Sequence, residues 1–185
     1  MRIGAWARVG SVAAALLAGG CQTIAPERCA GIDWHQQGVA DGRDGFGASR
    51  LERHRDACAA VGVRPDAAAW EAGRIRGLDD YCRLPNALEQ ALRRHAYEGV
   101  CADPRFATLY RAARRYADAK QQVADLDGQI DWRERELLTN RKLADDRRAE
   151  LRAEVRSLQR QRERAIADRA ESAAALERTR LQLGV

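Results

Sequence analysis

The chain is short of the large side chains that fill a core. It has two phenylalanines and one methionine, and aromatics make up 5% of 185 residues against 32% charged. A compact core using the whole chain would draw on more large apolar groups, so part of the chain stays outside any core. A segregated charge is missing as well. The net charge is +5, of which Arg2 and Arg8 supply two; residues 22–115 hold fifteen Arg against thirteen acids, and residues 116–185 hold fifteen Lys and Arg against fourteen. A nucleic-acid binder would gather positive charge on one face, so nucleic acid is not an expected partner. No G-x-S-x-G, no H-E-x-x-H and no phosphate-cradling glycine loop occurs, which removes the common hydrolase, metalloprotease and nucleotide signatures. No catalytic residue and no cofactor is expected.

What is present begins with an export signal. Arg2 and Arg8 precede the apolar run Val9–Ala18, which ends in Leu-Leu-Ala-Gly-Gly-Cys. A basic start, about ten apolar residues and small residues before a break are the parts of a secretory signal. The run falls short of the roughly 20 residues a bilayer span takes. Small residues directly before Cys21 make residues 1–20 resemble a bacterial lipoprotein signal, with Cys21 as the lipid-bearing first mature residue. An ordinary signal cut near Ala18-Gly19, or a short membrane anchor, is the alternative. Gln22 rather than Asp follows the cysteine. By resemblance to known lipoproteins the expected location is therefore the outer membrane, facing the periplasm.

Four cysteines remain: Cys29, Cys58, Cys82 and Cys101. An even number in an exported chain reads as two disulfides with three possible connectivities. Asp33–Asp41 and Ser49–Ala60 read as helices joined by the glycine-rich turn Gly42–Gly47. An antiparallel pair would bring Cys29 beside Cys58, leaving Cys82 for Cys101 across a short fourth segment near Asn86–His95. A zinc site is the competing use of these residues, because His54 lies four before Cys58, His95 six before Cys101 and His35 six after Cys29. No C-x2-C pair supports it, and an oxidising compartment turns thiols into disulfides, so no metal is expected.

Small residues recur after aromatics. Trp34 is followed by Gly38 and Gly42, Trp70 by Gly73 and Gly77, and Tyr110 by Ala113 and Ala117. Two small residues four apart share a helical face. A glycine inside a helix costs about 1 kcal/mol against alanine, so two per helix imply close approach of another backbone. The pattern reads as three versions of one helical unit, although Asp41-Gly42 and Asp44-Gly45 also carry turn chemistry. Asp66 after Pro65 reads as a helix cap, and Asp103-Pro104 as another helix start. The pair Asp79-Asp80 is the nearest thing to an acid/base dyad, at a helix end where Asp is usually solvated.

These residues carry a resemblance. D-W-x3-G-x2-D-G-x2-G at Asp33–Gly45, then Cys58, G-V-x-P-D at Gly62–Asp66, W-x2-G-R-x2-G-L-x2-Y-C at Trp70–Cys82 and Y-x-G-V-C at Tyr97–Cys101 form one ordered series. Over about residues 21–125 the chain resembles domain-of-unknown-function family 2799, small lipoproteins of Gram-negative bacteria. The resemblance implies an exported lipoprotein and brings no activity or catalytic residue with it. Where relatives tend to carry glycines after the third cysteine, this chain has Ala87, Leu88 and Ala91.

From Pro104 to Leu183 there is no further proline and Gly128 is the only glycine. Tyr116, Val123, Ile130, Leu137, Ala144, Leu151, Leu158 and Ala165 follow one another every seven residues, the mark of a coiled-coil seam. The companion track three later begins with Ala119 and Leu126 and then turns polar, with Arg133, Asn140, Arg147, Glu154, Gln161 and Asp168. So narrow a seam predicts a marginal coil or a helix lying on something else. One continuous helix would reach on the order of 110 Å; a fold-back near Gly128 or Leu143–Asp146 would make a hairpin.

The expected architecture is all-α: a signal over 1–20, a lipidated N-terminus and linker over 21–28, a disulfide-stapled helical head over 29–115, and a long charged helix or helical hairpin over 116–185. The expected role is structural or interactive. It would use the membrane through acylated Cys21, and self-association or an envelope protein partner through the tail. A glycan-binding accessory using Trp34 and Trp70, and an enzyme using the head, are the alternatives.

Overall fold

The computed structural model describes residues 23–185, so the signal segment and Cys21 lie outside the described residues. Among the described residues there are six α-helices, a short 3-10 helix over Pro26–Gly31, and no strand. The helices are α1 (Trp34–Arg43), α2 (Ser49–Ala59), α3 (Ala67–Tyr81), α4 (Leu84–Leu92), α5 (Pro104–Thr139) and α6 (Asp145–Leu183). Aspartates start three of them. The Asp33 side chain accepts from the Gln36 N–H, Asp66 from Ala69 and Asp103 from Arg105, each satisfying a donor that the first turn leaves unpaired.

Helices α1 and α3 run parallel in closest contact, joined through α2. The order of the contacts gives the direction: Gly38 lies against Trp70 and Arg74, and Gly42 against Arg74 and Gly77. A β-carbon on Gly38 would stand 2.0 Å from the Trp70 carbonyl oxygen, and one on Gly42 2.1 Å from that of Arg74. The opposing faces answer in kind, with Gly73 against the His35 carbonyl and Gly77 against that of Val39. Four glycines thus let two backbones touch, where Cα–H groups meet carbonyl oxygens. Asp41-Gly42 is therefore no turn: α1 runs through it to Arg43, and the bend falls at Gly45 (φ +77°), under the Tyr81 ring. The helix expected at Asn86–His95 likewise lies two to three residues earlier, because Pro85 sits in the first turn of α4.

Two cores flank this contact. The first holds Ile24, Cys29, Trp34, Leu51, Cys58 and Trp70; the second holds Tyr81, Ala87, Ala91, Phe106, Leu109, Tyr110, Ala113 and Leu176. Helix α3 spans both, with Trp70 near one end and Tyr81 at the other. Each core has its own staple, Cys29–Cys58 and Cys82–Cys101. The third small-residue unit does not join the first two. Tyr110 and Ala113 pack instead with Ala87 and Ala91 of α4, an alanine counterpart of the glycine contact.

The tail is a hairpin. Helix α5 has 36 residues and α6 has 39, so each spans about 54–58 Å at 1.5 Å per residue. Their turn lies between Thr139 and Asp145, not at Gly128, and the seam is internal to the chain. Val123, Leu126 and Ile130 of α5 bury against Val155, Leu158 and Ala165 of α6, with Leu137 at the margin. Tyr116 packs on the second core instead, and Leu151 is fully buried. The polar companion track makes an ion pair across the hairpin, Arg133 to Glu154 at 2.6 Å, which Arg147 of α6 joins from Glu154's own helix at 3.4 Å; off that track, Arg162 of α6 pairs with Asp127 of α5. The division expected at 115/116 falls inside α5, and Leu176 and Leu183 of α6 return to complete the second core. Among the described residues no helix is long and apolar enough to cross a membrane.

Candidate functional site

The densest chemistry in the head is a buried polar knot joining α1, α2 and α3. Asp41 occupies the inner face of α1, seven residues after Trp34, and one of its carboxylate oxygens, Oδ2, receives two bonds. His54 Nε2 approaches it at 2.7 Å and Trp70 Nε1 donates to it at 2.7 Å. The Gln37 amide donates to the other oxygen at 3.2 Å, and the Arg50 guanidinium lies 3.5 Å away while stacking on Phe46. His54 is wholly enclosed. An imidazole whose Nε2–H serves Asp41 turns its Nδ1 lone pair outward, where the Thr23 hydroxyl donates at 2.7 Å.

Burial alone would raise the Asp41 carboxyl. The hydrogen bonds from His54 and Trp70 and the nearby Arg50 guanidinium outweigh it and hold the group below its usual range. The knot is thus an ionised carboxylate whose partners come from every element around it. Its order, hydroxyl to imidazole to carboxylate, is that of a nucleophile–base–acid chain. Its setting differs from one, because His54 has no exposed face for a substrate to meet and the carboxylate is saturated by structural donors. The arrangement pins the segment at Thr23 to the helix pair.

The remaining candidates disperse. Among the described residues no group of three His, Cys, Asp or Glu side chains is placed to hold a metal ion. Cys58 is spent in its disulfide, His95 is exposed with Nδ1 on Gln90 at 2.9 Å, and His35 is exposed on α1. Asp79 pairs with Arg76 at 3.4 Å, while Asp80 accepts from Arg43 at 3.1 Å and Arg83 at 2.6 Å. Both are solvated surface pairs. Trp34 and Trp70 are 9% and 1% exposed, so neither offers a face to a glycan. Among the described residues, the tryptophan that does stand out is Trp132 on α5, at 58%. In the second core Tyr81, Tyr97, Phe106 and Tyr110 stack with centroids 5.1–5.4 Å apart. Burial, followed by the neighbouring Tyr110, Tyr97 and Glu98, pushes the Tyr81 hydroxyl up to about 12.

The knot is not legible in the sequence because its members lie 13 and 29 residues apart. One signal pointed to it. Leu51, His54 and Cys58 form the inward stripe of α2, and a histidine on that stripe must find a partner when buried.

Residues 33–116 are where comparison with known proteins finds a match, from the cap of α1 to the thirteenth residue of α5. The match is to DUF2799. That family is described as a protein of unknown function. The matched region takes in Asp41, His54, Trp70, both glycine pairs and three of the four disulfide cysteines. Cys29, Thr23, the outer part of the hairpin and all of α6 lie beyond it. No curated protein and no solved structure matches the chain.

Proposed function

We propose that this is a periplasm-facing lipoprotein, held in the outer membrane by acyl chains on Cys21, whose role is structural or interactive rather than catalytic. Cysteine arithmetic is the observation that supports it most. With Cys29 joined to Cys58 and Cys82 to Cys101, Cys21 is left over by count. It sits at the end of a basic–apolar–small segment of the kind that directs export. Two disulfides fit an oxidising compartment. Each buried methylene of an acyl chain adds about 0.8 kcal/mol of membrane attachment, so several chains make it effectively permanent.

The head is the rigid base of this design and the hairpin its reach. Because the seam is consumed between α5 and α6, a partner or second copy would meet the outer faces, where Trp132 and Leu138 are 58% and 81% exposed. Nucleic acid is not the partner, given the balanced charge. Membrane fractionation tests the anchor: Cys21→Ala should leave carbonate-washed membranes, and its retention there would refute lipidation. A photo-crosslinker at Leu138 tests the hairpin in cells. A discrete adduct is expected; the absence of any adduct there and at Trp132 would remove the interaction role.

A further inference from the structure

We infer that the head sits directly on the lipid surface, with the end that carries Thr23, Ile24 and the turn over residues 60–65 seated among the headgroups. This rests on lipidation of Cys21 and extends it. The chain is fixed to the head from its first described residue: Thr23 bonds to His54, Ile24 is buried in the first core, and Cys29 is bonded to Cys58. Only Gln22 separates Thr23 from the acylated cysteine. Two peptide units span at most about 7 Å between α-carbons. A tether that short cannot lift the head off the bilayer, so some face of it is always in contact.

The turn after α2 is the part of the head beside that tether. The amides of Val61 and Val63 both donate to the Cys58 carbonyl, at 3.2 and 3.3 Å, which folds the turn onto the same disulfide that holds Cys29. Val63 packs against the core of Ile24, while Val61 points away and is 48% exposed. Gly62 takes φ +70° at the tip with open space around it. A cleft of about 700 Å³ opens beside the turn, lined by Arg55, Asp56, Gly62, Val63, Arg64 and Pro65. An apolar tip bordered by guanidinium groups suits the headgroup boundary, where valine enters the acyl edge and arginine stays with phosphate.

Charge does not hold this face down. Of the two arginines on the cleft, Arg55 is paired with Glu52 at 2.6 Å, and Asp56 lines the cleft beside them, so the face fits a zwitterionic surface and its contact should resist salt.

The test uses the full acylated chain carrying Val61→Trp, in phosphatidylcholine vesicles containing brominated acyl chains. A second chain has a long Gly-Ser spacer between Gln22 and Thr23. Flotation and intact mass first establish that both are acylated and bound; a chain that does not float refutes lipidation itself and not the seating. With the native tether, emission from position 61 should fall at least about two-fold, unchanged in high salt, because an interfacial side chain lies within reach of the bromines. The spacer should abolish most of that quenching. Unquenched emission from a floating native-tether chain overturns the inference, as does quenching that survives the spacer or is lost in salt. Hydrogen exchange over residues 59–66 of the unsubstituted chain gives an independent readout, slowed on vesicles relative to the spacer chain if the turn is seated and equal if it is not.

Discussion

His54 lies 2.7 Å from Asp41 through Nε2, with the imidazole ring wholly enclosed. A buried carboxylate held below its usual range stabilises the fold at every pH above its unfolded value near 4. The contribution fades as pH falls through the lower folded value. Melting temperatures should therefore decline on acidification mainly below about pH 4. Asp41→Asn should cost on the order of 3 kcal/mol at pH 7 and flatten that acid limb. An unchanged melting temperature at pH 7 would mean the knot is not structural.

The glycine contact makes opposite predictions for two glycines. A β-carbon at position 38 would meet the Trp70 carbonyl oxygen at 2.0 Å, whereas one at position 128 meets nothing within 4 Å. Gly38→Ala should destabilise the head by about 2–3 kcal/mol, since backbone cannot give way as a side chain can. Gly128→Ala should stabilise α5 by up to about 1 kcal/mol through helix propensity alone. Denaturant midpoints of the two variants check both signs.

Much of this contact was legible in the sequence. Two glycines four apart after a tryptophan, twice over, imply close backbones, and Asp66 and Asp103 announced their helix starts. Asp41-Gly42 misled because the dipeptide is ordinary turn chemistry, and only the facing carbonyl of Arg74 explains a glycine there inside a helix. The seven-residue track misled differently. It runs on through Ala144, beside the turn, so two antiparallel stretches read as one seam. Arg133 and Glu154 weakened the companion track for a reason visible only in three dimensions, since they pair with each other.

Disulfide removal should act on both halves of the head. The bridges close separations of 29 and 19 residues. In the chain-entropy model each contributes about 3–4 kcal/mol. Reductant should lower the melting temperature markedly, and the double substitution Cys29→Ser with Cys58→Ser should loosen the first core in particular. Equal melting with and without reductant would contradict the two-staple account.

Leu176 ties the returning end of α6 into the second core, beside Phe106 and Leu109. Leu176→Ala should cost about 2–4 kcal/mol, by lost burial and the cavity left behind. The loss should appear in hydrogen exchange of α4 as well as α6. Protection changes confined to α6 would show that the tail does not brace the head.

The most direct test of the central claim is the intact mass of the full chain extracted from cell membranes. The account predicts a species starting at Cys21, heavier by acyl chains at that residue and lighter by the four hydrogens of two disulfides. A chain that retains residues 1–20, or begins elsewhere without acyl mass, would contradict it.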